Sequence, residues 1–295
     1  MKTPVFQGSC TALISPFTDG GLDLVRMGEL IQLQEKAGTA AILAAGTTGE
    51  SATLEIHEYE RLVDFCVQRA AGHMKVLTAV GGNNTESCLT RAKIAEALGA
   101  DAVLITAPYY NKSTPKGRIE HCVYVADRIC IPLIVYNVPS RTVVGYTVSD
   151  YRELAKHPNI NGVKEASGDL ALCARTAAAC GDDFFLWSGN DDNTVPMMSL
   201  GARGVISVAS NLVPRTVARL CALCLEGDFK SAARLYFRYA ELFEDLFLET
   251  NPIPVKAALR LMGLDSGRLR RPLTEMGGEN LARLTRCMQT LELLE

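Results

Sequence analysis

Gly99-Ala100-Asp101-Ala102-Val103-Leu104-Ile105-Thr106 carries the pattern that decides the fold. A glycine at the end of a helical stretch is the residue type that stops a helix in a left-handed cap. The run behind it is short and apolar at nearly every position, without the alternation of a half-exposed strand. A strand of that kind has both faces covered, as in parallel sheets. Further along, Gly201-Ala202-Arg203-Gly204 repeats the punctuation ahead of another apolar run. Such runs recur at 10–15, 40–44, 76–80, 102–106, 132–136, 160–164, 184–187 and 204–207. Helical patterns fill the intervals at 23–37, 56–71, 86–98, 115–129, 149–156, 169–180 and 191–200. Eight strands alternating with helices predict an α/β fold, a (β/α)8 TIM barrel. After Pro214 the pattern is all helical, at 215–225, 229–248, 254–262 and 279–293. The expected division is a catalytic barrel over 1–213 and a C-terminal helical extension over 214–295, packed on the barrel and available for subunit contacts. A doubly wound sheet is the competing architecture, but the Gly-x-Gly-x-x-Gly fingerprint it often carries is absent.

Composition narrows the partners. The 295 residues carry a net charge of −3 and are 48% hydrophobic. With no basic field to hold them, nucleic acid and anionic membrane are excluded as partners. The first residues lack a signal peptide's apolar core, and charges and glycines interrupt every apolar stretch before it could span a bilayer. The expectation is a soluble cytoplasmic protein. Cys66, Cys88, Cys122 and Cys130 lie in apolar runs and read as core thiols of a reducing compartment. Cys221-Ala222-Leu223-Cys224 has CxxC spacing, but it stands in a helical pattern with no second cysteine or histidine pair. His57, His73, His121 and His157 share no ligand spacing, so no metal is expected.

In barrels of this kind the reacting groups stand at the C-terminal ends of the strands. The most telling strand end is Asn161-Gly162-Val163-Lys164-Glu165-Ala166-Ser167-Gly168. A lysine that closes a buried strand is a candidate Schiff-base nucleophile, because desolvation penalises the ammonium and frees its lone pair. A surface lysine at a strand end is the competing reading, and this stretch alone leaves both open. After the second strand, Gly46-Thr47-Thr48-Gly49-Glu50 joins a backbone free to turn its N–H groups inward with two hydroxyls, a pocket suited to a carboxylate. A capped glycine turn would look the same. After the fourth strand comes Pro108-Tyr109-Tyr110-Asn111, and after the fifth Tyr136-Asn137-Val138-Pro139-Ser140-Arg141-Thr142. Tyrosines are usually packing residues, and an arginine is usually in a surface ion pair. Here Tyr136 would share a mouth with Lys164 and could relay protons, while Arg141 would offer a planar fork to a second carboxylate.

These blocks, with Ser188-Gly189-Asn190-Asp191, resemble the dihydrodipicolinate synthase family, pyruvate-dependent class I aldolases that include N-acetylneuraminate lyase. The similarity runs from about Gly8 to Met276 and takes in Asn251-Pro252-Ile253-Pro254-Val255-Lys256 and Arg271-Pro272-Leu273-Thr274. The resemblance implies a lyase of lysine and diaminopimelate biosynthesis that condenses pyruvate with L-aspartate 4-semialdehyde. It implies that Lys164 forms the imine and that Tyr136, Thr47 and Tyr110 relay protons, Tyr110 reaching into a neighbouring subunit's mouth. It further implies that Thr47 and Thr48 hold the pyruvate carboxylate and that Arg141 holds the aldehyde's carboxylate. Gly189 and Ile206 would line the pocket through main-chain groups. No cofactor beyond the covalent imine and a homotetramer built as a dimer of dimers are implied. The sugar-acid lyases share the turn, the tyrosine and the lysine but generally lack an arginine at the Arg141 position. A 2-keto-3-deoxy-sugar-acid aldolase or N-acetylneuraminate lyase-like enzyme is therefore the alternative. A binding protein on a decayed barrel is a further reading, disfavoured because every relay residue is present.

Feedback-sensitive relatives bind lysine at a subunit interface, at positions matching Ser51, Ala52, Ile56, Tyr59, Asn83, Ser87 and Tyr109. The sensitive pattern has histidine at 56, often histidine at 59, and glutamate at 87. The departures imply weak or absent inhibition by L-lysine, unless a register shift brings the adjacent Glu86 into the pocket.

Overall fold

Each expected apolar run becomes a strand in the computed structural model, which describes residues 1–294. The barrel strands are β1 (Gly8–Ala12), β2 (Ala41–Ala44), β3 (Lys75–Ala79), β4 (Ala102–Thr106), β5 (Leu133–Asn137), β6 (Ile160–Glu165), β7 (Phe185–Ser188) and β8 (Gly204–Ser207). They pair in parallel in chain order, and β1 also pairs with β8, which closes the barrel. The covering helices are α1 (Leu24–Ala37), α2 (Ile56–Ala70), α3 (Thr85–Ala97), α4 (Pro115–Ala126), α5 (Val148–Ala155), α6 (Leu170–Cys180), α7 (Thr194–Ser199) and α8 (Pro214–Leu225). Three more make the tail: α9 (Phe229–Asp245), α10 (Ile253–Leu261) and α11 (Gly278–Thr290).

Alternation along each strand sends side chains to two different cores. Cys10, Leu43, Leu77, Leu104, Ile134, Tyr136, Trp187 and Ile206 fill the barrel. Ile42, Val76, Val103, Ile105, Val135 and Val163 face the helices. Both faces are dry, which is why the runs read as apolar throughout. Each such burial is worth about 1.5–3 kcal/mol. Local chemistry starts and stops the helices. Thr114 caps α4 by accepting from the Gly117 N–H, with Pro115 in the first turn, and α1 ends at Gly38 with φ +76°.

Four details depart from the sequence reading. The helix expected over 191–200 contracts to Thr194–Ser199, because the Asp191 carboxylate is occupied by the Val208 and Ala209 N–H groups. A short helix, Pro139–Thr142, forms directly after β5. Cys130, read as a core thiol, is exposed in the turn between α4 and β5. Finally, α8 packs on β1, α1 and α7 and so covers the barrel after its eighth strand. A boundary at 213/214 therefore falls just ahead of that helix. The tail proper lies on the barrel, α9 against α8 and α10 against the turn after β8.

Candidate active site

Lys164 is 6% exposed, inside the C-terminal rim of the barrel. The parallel register sets it between Tyr136 on β5 and Trp187 on β7. Its Nζ lies 4.3 Å from the centre of the Tyr136 ring. Burial pushes its pKa down to about 8, and the neighbouring Arg141 guanidinium pushes the same way, against the Asp191 carboxylate. Close approach here depends on Gly189. A Cβ on it would stand 2.6 Å from Ala166 Cβ and 3.2 Å from Lys164 Cε. Only a bare backbone lets the end of β7 run that close to the lysine.

The strand ends are tied together by buried carboxylates. Glu165, one residue beyond Lys164, accepts from Asn137 Nδ2 (2.9 and 3.0 Å), Tyr151 Oη (2.6 Å) and the Ser167 N–H (2.8 Å). That fixes the end of β6 against the end of β5. Asp191 accepts from Ser207 Oγ and from the Val208 and Ala209 N–H groups at 3.0 Å, which fixes β7 against β8. Neutral donors surround both charges, the usual way a buried carboxylate is satisfied.

Burial pushes the Tyr136 phenol up to about 12, with Arg141 and Thr47 beside it pulling it back and Glu165 adding to the rise. It therefore stays protonated at neutral pH and can pass protons. Thr48 is buried, and its Oγ1 accepts from Asn251 Nδ2 at 3.0 Å. The turn that carries both threonines is pressed onto the end of β1, where Ser15 Oγ donates to the Gly49 carbonyl at 2.7 Å. Arg141 is exposed on the short helix after β5, and its NH2 donates to the Asn251 carbonyl at 3.3 Å. Ile206 is buried on β8 beside Cys10 of β1.

Lys164, Tyr136, Thr47, Thr48, Arg141, Gly189 and Ile206 thus come from five strand ends to one rim. Tyr110 does not join them within this chain. It is 90% exposed and held outward at φ +64°. Glu50, quoted with the threonine turn, points away from the rim to Lys256. Two contributors escaped sequence reasoning. Cys10 read only as a strand residue, and Asn251 carried no role although its block was noticed. Nothing local marked either; only the topology brings them to the site. Cys221 and Cys224 are buried free thiols of α8, as their helical pattern suggested. Among the described residues, Glu241, Asp245 and Cys287 bring ligand-type atoms within 4.8 Å of one another. Arg283 lies 2.7 Å from Asp245 there, so the group reads as an ion pair of the tail.

A desolvated lysine under a phenol at the C-terminal rim of a (β/α)8 barrel has the surroundings that a Schiff-base lysine needs. The chain belongs to the dihydrodipicolinate synthetase family, which matches over residues 5–291. A 4-hydroxy-tetrahydrodipicolinate synthase of Thermoanaerobacter sp. (strain X514) is 43% identical over 293 residues, 99% of each chain. The crystal structure of dihydrodipicolinate synthase from Aquifex aeolicus superposes with a TM-score of 0.96 at 43% identity, covering 98% of this chain and 99% of that one. The enzyme of Acinetobacter baumannii, solved in complex with pyruvate, superposes with a TM-score of 0.96 at 36% identity, with 98% and 99% coverage.

Proposed function

We propose that the chain condenses pyruvate with L-aspartate 4-semialdehyde, the reaction of a 4-hydroxy-tetrahydrodipicolinate synthase, through an imine on Lys164. The observation that carries the reading is the buried Lys164 amine with its pKa near 8 against the Tyr136 ring. Its neutral form attacks the keto carbon of pyruvate. The carbinolamine loses its oxygen as water, with Tyr136 and Thr47 supplying and removing protons. The protonated imine is an electron sink, so the methyl group gives up a proton and becomes an enamine. The enamine carbon attacks the aldehyde carbon, whose oxygen takes up a proton. The acceptor's amine then closes on the imine carbon and displaces the lysine, which is released unchanged.

Thr47 and Thr48 hold the pyruvate carboxylate, and Arg141 holds the carboxylate of the aldehyde. Gly189 and Ile206 line the pocket with main-chain groups. Tyr110, turned outward, serves the relay of a second copy, consistent with a homotetramer built as a dimer of dimers. The imine is the only covalent group the reaction needs, so no cofactor is assigned. Among the described residues no helix is long and apolar enough to cross a membrane. The reading places the enzyme in the cytoplasm. Assaying L-aspartate 4-semialdehyde against sugar-derived aldehydes tests the choice of acceptor. Preference for a sugar aldehyde would overturn it in favour of a sugar-acid aldolase.

Arg141→Ala separates the two substrates. Removing one charge-assisted clamp costs roughly 1.5–3 kcal/mol. Use of the semialdehyde should fall by about 10- to 150-fold, while imine formation with pyruvate changes far less. Full activity in steady-state assays would reduce Arg141 to a structural role.

Inhibition by L-lysine should be weak or absent. Ile56 offers no hydrogen bond, and Tyr59 is buried, with its hydroxyl donating to the Arg91 carbonyl. Glu86 is engaged by the Tyr124 hydroxyl at 2.7 Å rather than free for an incoming ammonium. An ammonium without a charged partner would be desolvated at a cost. Half-inhibition below about 1 mM, an affinity worth more than about 4 kcal/mol, would refute this.

A further inference from the structure

Asn251 stands where three separate elements meet. It leads into α10 of the tail and is 5% exposed. Its side-chain Nδ2 donates to Thr48 Oγ1 at 3.0 Å, on the turn after β2. Its backbone carbonyl accepts from Arg141 NH2 at 3.3 Å, on the short helix after β5. The residue thus spans the two groups read as carboxylate holders, one through its side chain and the other through its main chain.

The chemistry of a hydroxyl gives the side-chain contact a direction. Threonine has one proton and two lone pairs. With one lone pair taken by the Asn251 amide, the hydroxyl keeps its proton for another partner, and its polarisation makes it a better donor. Without that amide, the hydroxyl rotor is free to turn its proton elsewhere. Burial makes the arrangement matter, because water is not at hand to substitute.

We propose that Asn251 is a positioning residue. Its amide holds the Thr48 hydroxyl as a donor to the carboxylate of the imine-forming keto acid, and its carbonyl steadies the Arg141 guanidinium. The inference rests on the reading that this rim binds pyruvate. It makes the helical tail part of the substrate site and not only a support for it. It also separates the two roles experimentally, since side-chain replacement leaves the carbonyl on Arg141 in place.

The test is borohydride trapping of the pyruvate imine on Lys164, followed by mass across a range of pyruvate concentrations, beside steady-state KM for the aldehyde. In Asn251→Ala the half-saturating pyruvate concentration should rise about tenfold, the size expected when a hydrogen bond to a charged group is misaligned. Trapping should still go to completion, and the aldehyde KM should stay within about twofold, since the group facing Arg141 is unchanged. In a Thr48→Val background, Asn251→Ala should add less than about twofold, because the amide acts through the missing hydroxyl. Asn251→Asp keeps the volume and removes the donor. It carries the same comparison should the alanine variant fail to fold. Unchanged half-saturation, equal rises for both substrates, or full additivity with Thr48→Val would each overturn the proposal while wild type still traps pyruvate. Wild-type protein that traps no pyruvate overturns the functional reading and this proposal with it.

Discussion

Lys164→Arg should leave a folded barrel that forms no imine, with turnover lower by roughly three orders of magnitude or more, as befits loss of a covalent nucleophile. Arginine keeps the positive charge and much of the length, but it stays protonated at any pH the protein tolerates. The wild-type lysine is different because its environment removes solvent from the ammonium. With a pKa near 8, about a tenth of it is neutral at pH 7, against roughly one in a few thousand for a solvated lysine. The sign of the pH dependence follows. The neutral amine is the reactive form, so trapping at low pyruvate should rise with pH through about 8 and then level off. Tyr136 does not add a falling limb in that range, since its phenol is pushed up to about 12. Reduction with borohydride should label Lys164 alone. Lys75 opens β3, at the end of the barrel opposite the rim, and pairs with Asp101 at 2.7 Å, while the Lys256 side chain is wholly enclosed against Glu50 at 2.6 Å, so neither stands where a keto acid at the rim would meet it. A label on Lys75, Lys112 or Lys256, or trapping that does not change between pH 6 and 9, would sink the assignment of the nucleophile.

How much of this was legible in the sequence depends on whether a feature is local. The barrel was legible because a strand wrapped on both sides is apolar at every position, and 102–106 shows that without any partner in view. What that run could not show was which side chains face inward. Leu104 lies in the barrel and Val103 under the helices, yet both are simply aliphatic. The chemistry at strand ends was legible as residue types. Lys164 and Tyr136 do lie side by side, because β5 and β6 pair in a register set by the whole barrel. Contacts that close over long stretches of chain were not legible. Asn251 reaches Thr48 across 203 positions, and no local pattern marks that. Glu50 ends the stretch whose glycines and hydroxyls read as an anion pocket, where a carboxylate would repel the substrate's own charge. It turns instead to a lysine 206 positions away. The same long-range pull explains helix α7, whose first expected turn is lost when Asp191 binds the loop after β8.

Lys256→Met should destabilise the fold by about 3–5 kcal/mol, the cost of breaking a buried ion pair. The Lys256 side chain is 0% exposed and its Glu50 partner 1%. Its ammonium donates to Glu50 Oε1 at 2.6 Å, to the Ser15 carbonyl at 2.8 Å and to the Arg268 carbonyl, and lies 4.4 Å from the Phe17 ring centre. One cation thus joins α10 to the end of β1 and to the turn that carries Thr47 and Thr48. Methionine fills the volume but leaves Glu50 with only the Arg270 N–H at 2.8 Å. The stranded carboxylate, not the lost attraction, accounts for most of the penalty. The double variant Lys256→Met/Glu50→Gln should therefore regain a large part of the loss, since neither charge remains buried. Urea unfolding midpoints of the wild type, both single variants and the double variant close the cycle. The turn also positions the threonines, so pyruvate half-saturation should rise in Lys256→Met even where the barrel remains folded. Equal stability of Lys256→Met and wild type, or additive losses in the double variant, would mean that the pair is not what holds the tail to the barrel.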